Sequence, residues 1–360
     1  MTSDQRVGDL EPDHPLMTPY APSWFDRLDA WLTTLPTPRW LVGVTLAVLL
    51  VLVNALFKWW DGVYPVGTFH PFHVVVISYT IWYFAMVSYL DWVAARAMER
   101  FRPAFRGDER TFADLTYRLT TMPARPAALA SLAGAVFGLL VALGVQRGLF
   151  ISPAALLMRS PSSLWFDFLV AIVVNMGLYV FIYHTVHQLR VVNTIYGHHA
   201  QVDLFLPGPL RAFSTLTAQT AAAGVLTAYV WFATETNFTE NPVSLSVFVV
   251  LVLLAGVTFA APLWGVHRML ESAQHTAQAA AGQRLHRALG DLHECIDRRT
   301  YGEADALAKA VAGIKDELAL LERIPTWPWQ PDTPRLLSTA ILLPIVLWLA
   351  TRLLERLLGM

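Results

Sequence analysis

The sequence predicts an all-α protein, a polytopic membrane bundle of seven transmembrane helices with a cytoplasmic antiparallel helical hairpin. Three observations carry that reading. The 360 residues are 55% hydrophobic and 15% charged, whereas a soluble domain runs at roughly 45–50% apolar and about 25% charged. The apolar residues fall in uninterrupted runs of about 17 to 24, the length that crosses ~30 Å of hydrocarbon. Beyond the sixth run, leucines recur at the 4-3-4 spacing of a coiled-coil seam, first on one stretch and then, past a turn, on another. Other classes drop out. A net charge of −1, with no stripe of basic residues among aromatics, offers nothing to hold nucleic acid. The single cysteine, Cys295, supports neither a disulfide framework nor a Cys-based zinc site. The charged start MTSDQRVGDLEPDH is unlike a cleavable signal peptide, so the first span is expected to be retained.

Residues 1–37 read as a cytoplasmic N-terminus that ends in an interfacial helix. Phe25, Leu28, Leu32 and Leu35 recur at helical spacing, Ser23 stands where a cap is needed, and Asp26 falls in the first turn. Trp24 and Trp31 suit the headgroup boundary. Residues 38–266 hold six spans: Leu41 to Phe57, Val74 to Val93, Ala127 to Val145, Leu164 to Val186, Leu216 to Phe232 and Val243 to Val266. The fifth is diluted by Thr217, Gln219, Thr220, Thr227 and several alanines. A segment of that kind belongs inside a bundle, where small residues allow close helix contact. Basic residues set the orientation. With the N-terminus inside, 21 of the 26 lie on inner segments and 5, Lys58, Arg147, Arg159, Arg352 and Arg356, on outer ones. Positive loops stay cytoplasmic, so the C-terminus is expected outside, in a plasma (inner) membrane.

Residues 267–323 form the hairpin. Leu285, Leu289, Leu292 and Ile296 make one seam, Arg299 to Gly302 the turn, and Leu307, Val311, Ile314, Leu318 and Leu321 the second seam. The sixth helix is therefore expected to run on beyond the membrane. Residues 324–333 are a linker whose prolines forbid helix, with Trp327 and Trp329 suited to the headgroup zone. Residues 334–360 supply the seventh span. On one face of it lie Ser338, Ile341, Ile345, Trp348, Arg352 and Arg356. That pattern reads as a water pathway with an apolar constriction at Ile341 and Ile345 and a charged vestibule. The same face also fits a packed helix whose end emerges from the membrane with Arg352 snorkelling.

This architecture resembles the seven-transmembrane ion channel superfamily, to which insect odorant and gustatory receptors belong. The likeness is topological and covers most of the chain: the count of seven, the inner N-terminus, the sixth helix extended past the membrane, and a seventh element split into a helix near Glu303 to Arg323 and a membrane helix near Pro334 to Leu357. The resemblance implies a homotetrameric cation channel, its pore lined by the final span and its subunits joined by the cytoplasmic anchor.

Two further sets of residues bear on function. Tyr79, Trp82, Tyr83 and Tyr179 are dense in the second and fourth spans and suit a pocket for a small apolar ligand, although core packing explains them as well. Tyr183-His-Thr-Val-His187 followed by Gly197-His-His199 looks like a worn version of the histidine boxes of di-iron membrane oxygenases. Position 195 is Ile where such a box needs His. Asn54, Asp91, Asp167 and Asn175 are polar groups in the spans that either mark a route or bond between helices. No nucleotide loop, GxSxG, HExxH or paired catalytic carboxylate motif occurs, and the reading calls for no enzyme, metal or cofactor. The expected function is an oligomeric ion channel opened by a small apolar ligand. The alternatives are a pore-less receptor or scaffold signalling through the hairpin and, further off, a di-iron oxygenase.

Overall fold

A computed structural model describes residues 19–148, 160–204, 208–234 and 242–327. The chain there is helical, without a strand among the described residues. The helices are α1 (Trp24–Thr33), α2 (Arg39–Trp60), α3 (Pro71–Phe101), α4 (Glu109–Thr120), α5 (Ala124–Gln146), α6 (Leu164–His199), α7 (Ala212–Thr234), α8 (Pro242–Asp297) and α9 (Tyr301–Arg323). Among the described residues four of them, α2, α3, α5 and α6, are long and apolar enough to cross a membrane. They correspond to the first four expected spans. The fifth and sixth fall on α7 and on the first half of α8. The seventh, from Leu336 to Leu354, lies outside the described residues.

Local chemistry explains where the helices begin. Ser23 and Asp26 form a complete capping box for α1: the Ser23 hydroxyl accepts from the Asp26 N–H, and the Asp26 carboxylate accepts from the Ser23 N–H. The same carboxylate accepts from the Met122 N–H, and the Met122 carbonyl from the Ser23 N–H, both at 3.0 Å. The start of α1 is thus strapped to the entry of α5. Phe25 is buried and its ring lies 4.4 Å from that of Phe84 on α3. Pro71 opens α3 at a position where its missing N–H costs nothing. Asp108 caps α4 through the Thr111 N–H. That short helix, which lies in a charged segment between expected spans, buries Phe112, Leu115 and Leu119 at i, i+3 and i+7.

The bundle is held by three kinds of contact. Along α5 the buried residues Ala127, Ser131, Gly134, Gly138 and Ala142 form a stripe of small side chains, and α6 packs directly on it. A Cβ at Gly134 would stand 2.5 Å from the Asn175 carbonyl oxygen, and one at Gly138 2.6 Å from that of Ala171. Backbone meets backbone there, the usual solution where lipid removes any hydrophobic drive for association. By contrast, α7 is enclosed between α3 and α8, with Leu216, Thr217, Thr220, Ala221 and Ala228 buried. Its small and hydroxylated residues place it where the sequence expected it. The third kind of contact is polar and is described below. Towards the outside, Leu41, Val44, Leu49 and Leu56 on α2 and Leu129, Leu132, Val136 and Leu140 on α5 are exposed, an apolar surface suited to a bilayer.

α8 runs unbroken for 56 residues, about 84 Å at 1.5 Å per residue. The chain turns at 298–300, where Arg299 adopts a left-handed φ of 58°. α9 then folds back antiparallel: Arg284 pairs with Glu317 at 3.5 Å, the Gln274 amide donates to the Leu321 carbonyl, and Cys295 Sγ lies 3.9 Å from Glu303. Ala281, Val311 and Leu321 are buried in this hairpin. Past α9 the chain returns to α8, where the Trp327 ring stacks on His267 at 3.9 Å and 3°.

Candidate functional site

Two buried polar clusters cross the bundle, one where α2 ends and α6 begins and one further along α3 and α6. The first gathers residues from the last two turns of α2 and from the cap and first turn of α6. Lys58 Nζ donates to Asp167 Oδ2 and to Ser163 Oγ, both at 2.6 Å. Ser163 Oγ donates to the same carboxylate oxygen at 2.9 Å, and the Asn54 amide donates to the other at 3.0 Å. Lys58 is 0% and Asp167 5% exposed, so neither charge is hydrated. Each end of the pair suits its helix. A cation near the C-terminus of α2 and an anion near the N-terminus of α6 both complement the partial charges of the unsatisfied backbone groups there. Removing either partner alone would leave a buried unpaired charge, a loss of about 3–5 kcal/mol.

Next to this clasp, in the loop after α2, Asp61 accepts from Ser160 Oγ, from the Ser162 N–H at 3.0 Å and from Ser162 Oγ at 2.7 Å. The Ser160 hydroxyl, then that of Ser162, hold its carboxyl below the usual carboxylate range. The Tyr64 hydroxyl shares a 2.6 Å hydrogen bond with His73 Nδ1, and burial pushes that hydroxyl up from its ordinary pKa.

The second cluster lies at the α1 end. His184 Nε2 on α6 is 2.8 Å from Asp91 Oδ1 on α3, and the Gln188 amide donates to the same oxygen at 3.0 Å and to the Leu119 carbonyl at 3.2 Å. His187 Nε2 lies 2.8 Å from the Arg118 carbonyl. A carbonyl only accepts, so this ring carries its proton on Nε2. The Tyr20 hydroxyl donates to the Thr121 carbonyl at 2.7 Å, and the Tyr117 hydroxyl to the Tyr20 carbonyl at 2.9 Å. Burial raises the pKa of both tyrosines. Together His187, Gln188 and Tyr20 satisfy the carbonyls that α4 leaves open at its C-terminus.

The histidines of the two box-like stretches each have a partner inside the bundle or on their own helix. His184 and His187 serve Asp91 and α4. His199 stacks on Phe105 with ring centroids 5.6 Å apart, and its Nδ1 lies 3.2 Å from the Arg106 carbonyl. His198 Nδ1 lies 3.3 Å from the Thr194 carbonyl of its own helix. Among the described residues no group of three or more His, Cys, Asp or Glu side chains is arranged to hold a metal ion.

Of the four residues expected to line a ligand pocket, three come together. The Tyr79 hydroxyl donates to the Thr227 carbonyl at 2.7 Å, Trp82 Nε1 to the Thr227 hydroxyl at 2.9 Å, and Tyr83 stacks on Tyr79 at 5.6 Å. Tyr179 lies elsewhere, 5.7 Å from Phe137 of α5. The pore-face residues Ser338, Ile341, Ile345, Trp348 and Arg352 lie outside the described residues.

The sequence singles out Asn54, Asp91 and Asp167 but gives Lys58 only as an outer charge and is silent on Ser163 and Gln188. Lys58 follows an apolar run and precedes Trp59 and Trp60, the pattern of a cation at a water boundary. The structure encloses its side chain. The available signal was Ser163-x-x-x-Asp167 opening a helix, a polar pair one turn apart that needs a cation if it is buried. The glycine seam had a clearer signal, Gly134-x-x-x-Gly138 inside an apolar run. Compared with protein-family models, curated proteins and solved structures, the chain matches none.

Proposed function

We propose that this chain is an oligomeric ion channel of the plasma (inner) membrane, with the N-terminus and hairpin in the cytoplasm and the C-terminus outside. Its pore is lined by the last span through Ser338, Ile341, Ile345, Trp348 and Arg352, and a small apolar ligand opens it. The observation that carries this reading is the path of the chain after the bundle. α8 continues as a rod, α9 returns along it, and Trp327 docks on His267. The described chain thus comes back to α8 at Trp327, and in this proposal a change in the hairpin acts on the last span through that point.

Assembly through the hairpin as a homotetramer is part of the same proposal. Two helices cover one another's seams only in part: Ile296 is 47% exposed, Leu289, Leu307 and Ile314 are half-buried, and Leu320 beside the second seam is 60% exposed. Further copies of the hairpin would complete the layer, each adding two helices to a common core. The second reading, a pore-less receptor, draws on the interior of the bundle. There Lys58 and Asp167 neutralise each other and Tyr79 and Trp82 are bonded to Thr227, which suits packing more than passage.

Single-channel recording of the reconstituted protein separates the two. Ile341→Asp and Ile345→Asp place a charge in the constriction and are expected to raise leak conductance, because a charge wets an apolar gate. Silence from the wild type and both variants, in protein that remains folded, would overturn the channel reading in favour of the receptor. A strictly monomeric protein in mild detergent would remove the central pore.

A further inference from the structure

One stripe of α3 is left open at the level where a bilayer ends. Asp29 of α1 accepts from Ser88 Oγ at 2.7 Å and from Arg39 Nη1 at 2.8 and 2.9 Å. The first residue of α2 is therefore level with Ser88 on α3. On one side of that level α2 packs along α3, with Gly43 against Ile81, and α2 turns apolar side chains outwards. Trp40, 69% exposed, marks the edge of this apolar surface. On the other side α3 continues to Phe101, and Tyr89, Trp92 and Arg96 stand exposed along it.

These three side chains form a stack. Tyr89 and Trp92 lie ring on ring at 5.9 Å and 27°, and the Arg96 guanidinium sits 3.6 Å from the centre of the Trp92 ring. The Arg96 side chain bends back towards the N-terminus of its helix, as helical side chains do, and so returns its charge to the level of Trp92. Trp92 stands about 6 Å beyond Ser88 along the axis, within the headgroup layer of a bilayer whose hydrocarbon ends at Ser88. Among the described residues Arg96 has no carboxylate partner. Glu99, three residues on, pairs with Arg102 at 3.5 Å. Within the described residues the Tyr89 hydroxyl and the Trp92 indole N–H also make no hydrogen bond, whereas Trp24, Trp59 and Trp82 donate to Ser131, Thr68 and Thr227. A guanidinium stacked through its face keeps its N–H groups at the edge, where they fit two oxygens of one phosphate.

We propose that Tyr89, Trp92 and Arg96 bind the phosphodiester headgroup of an anionic glycerophospholipid. Arg96 takes two phosphate oxygens through its N–H edge, the Trp92 face holds the guanidinium in place, and the Trp92 and Tyr89 donors face the glycerol and ester oxygens. The site requires α3 to cross a membrane but does not require the protein to conduct ions.

Native mass spectrometry of the full-length protein, given phosphatidylglycerol, phosphatidylcholine or inorganic phosphate, tests the assignment. The wild type is expected to retain one phosphatidylglycerol in preference to phosphatidylcholine, and inorganic phosphate is expected not to displace it. Arg96→Gln should weaken that binding on the order of tenfold, the loss of a charge-assisted contact. Arg96→Lys keeps the charge without the planar fork and should bind between the two. Arg100→Gln, which removes an exposed cation about one turn further on, should bind like the wild type. Equal retention of the two lipids by the wild type, or binding unchanged in Arg96→Gln, would overturn the proposal. Displacement by inorganic phosphate would make this a free-anion site and would overturn it equally. Melting temperatures of the variants, which alter exposed side chains only, show whether a loss reflects binding or folding.

Discussion

α2 and α5 both turn an apolar face outwards, yet they meet α6 by opposite means. α5 is held by shape: glycine replaces side chain along Gly134 and Gly138, and the backbones of α5 and α6 approach until a methyl group would not fit. α2 is held to α6 by charge, through Lys58, Asp167, Ser163 and Asn54 near one end of both helices. Shape and charge fail differently. A close-packed seam tolerates no added atom but is indifferent to which polar groups surround it. A buried ion pair is sensitive to the loss of one partner and far less to the loss of both, because the large term is the desolvated charge that remains.

The largest effect is expected at the clasp. Lys58→Met leaves the Asp167 carboxyl enclosed without its cation, and should cost about 3–5 kcal/mol in unfolding from mild detergent, with α2 released from α6. The double variant Lys58→Met/Asp167→Leu should recover most of that loss. If it does not, the pair contributes something beyond mutual neutralisation. Next comes the seam. Gly138→Ala sets a methyl group against the Ala171 carbonyl and should cost roughly 1–3 kcal/mol, read by the same unfolding measurement. Among the described residues a methyl group at Gly224 meets the Ala255 Cβ alone, at an ordinary 3.4 Å, and Gly224→Ala should change little. Equal effects at Gly138 and Gly224 would mean that α5 and α6 are not in backbone contact.

The hairpin is held by neither device, and its turn gives a smaller effect of opposite sign. Arg299 sits at a positive φ, so Arg299→Gly should stabilise the hairpin by about 1 kcal/mol, visible as slower hydrogen exchange in α9. The smallest effect lies beside the clasp, at Asp61. Hydrogen bonds from Ser160 and Ser162 depress its pKa, so their contribution is present above the unfolded value near pH ~4 and is lost as pH falls through the lower folded value. Hydrogen exchange in segment 160–163 should therefore quicken as pH falls below about 4, and Asp61→Asn should abolish that dependence.

Much of the molecule was legible in the sequence. Ser23 and Asp26 forecast the start of α1 because a capping box is a local device, complete within four residues. Run length forecast α2, α3, α5 and α6, since a bilayer fixes how many apolar residues a span needs. The 4-3-4 leucines forecast helix over the end of α8 and over α9, because helical periodicity is written along the chain. α7 was placed inside by its threonines and alanines, which have little to offer lipid. The α4 helix escaped notice because its three apolar residues are few among charges, although their spacing is helical.

What composition and periodicity determined by themselves is therefore most of what depends on neighbours in sequence: the long helices, the cap of α1, and which helices are apolar enough for lipid. Which polar groups meet was decided only in three dimensions. Lys58 and Asp167 are 109 residues apart, Asp91 and His184 are 93 apart, and Tyr20 reaches Thr121 across 101. Nothing in the local pattern around Lys58 distinguishes a cation that snorkels to the surface from one that is enclosed. The difference is whether another helix brings a carboxylate within hydrogen-bonding distance, because only a paired charge can remain where water is excluded.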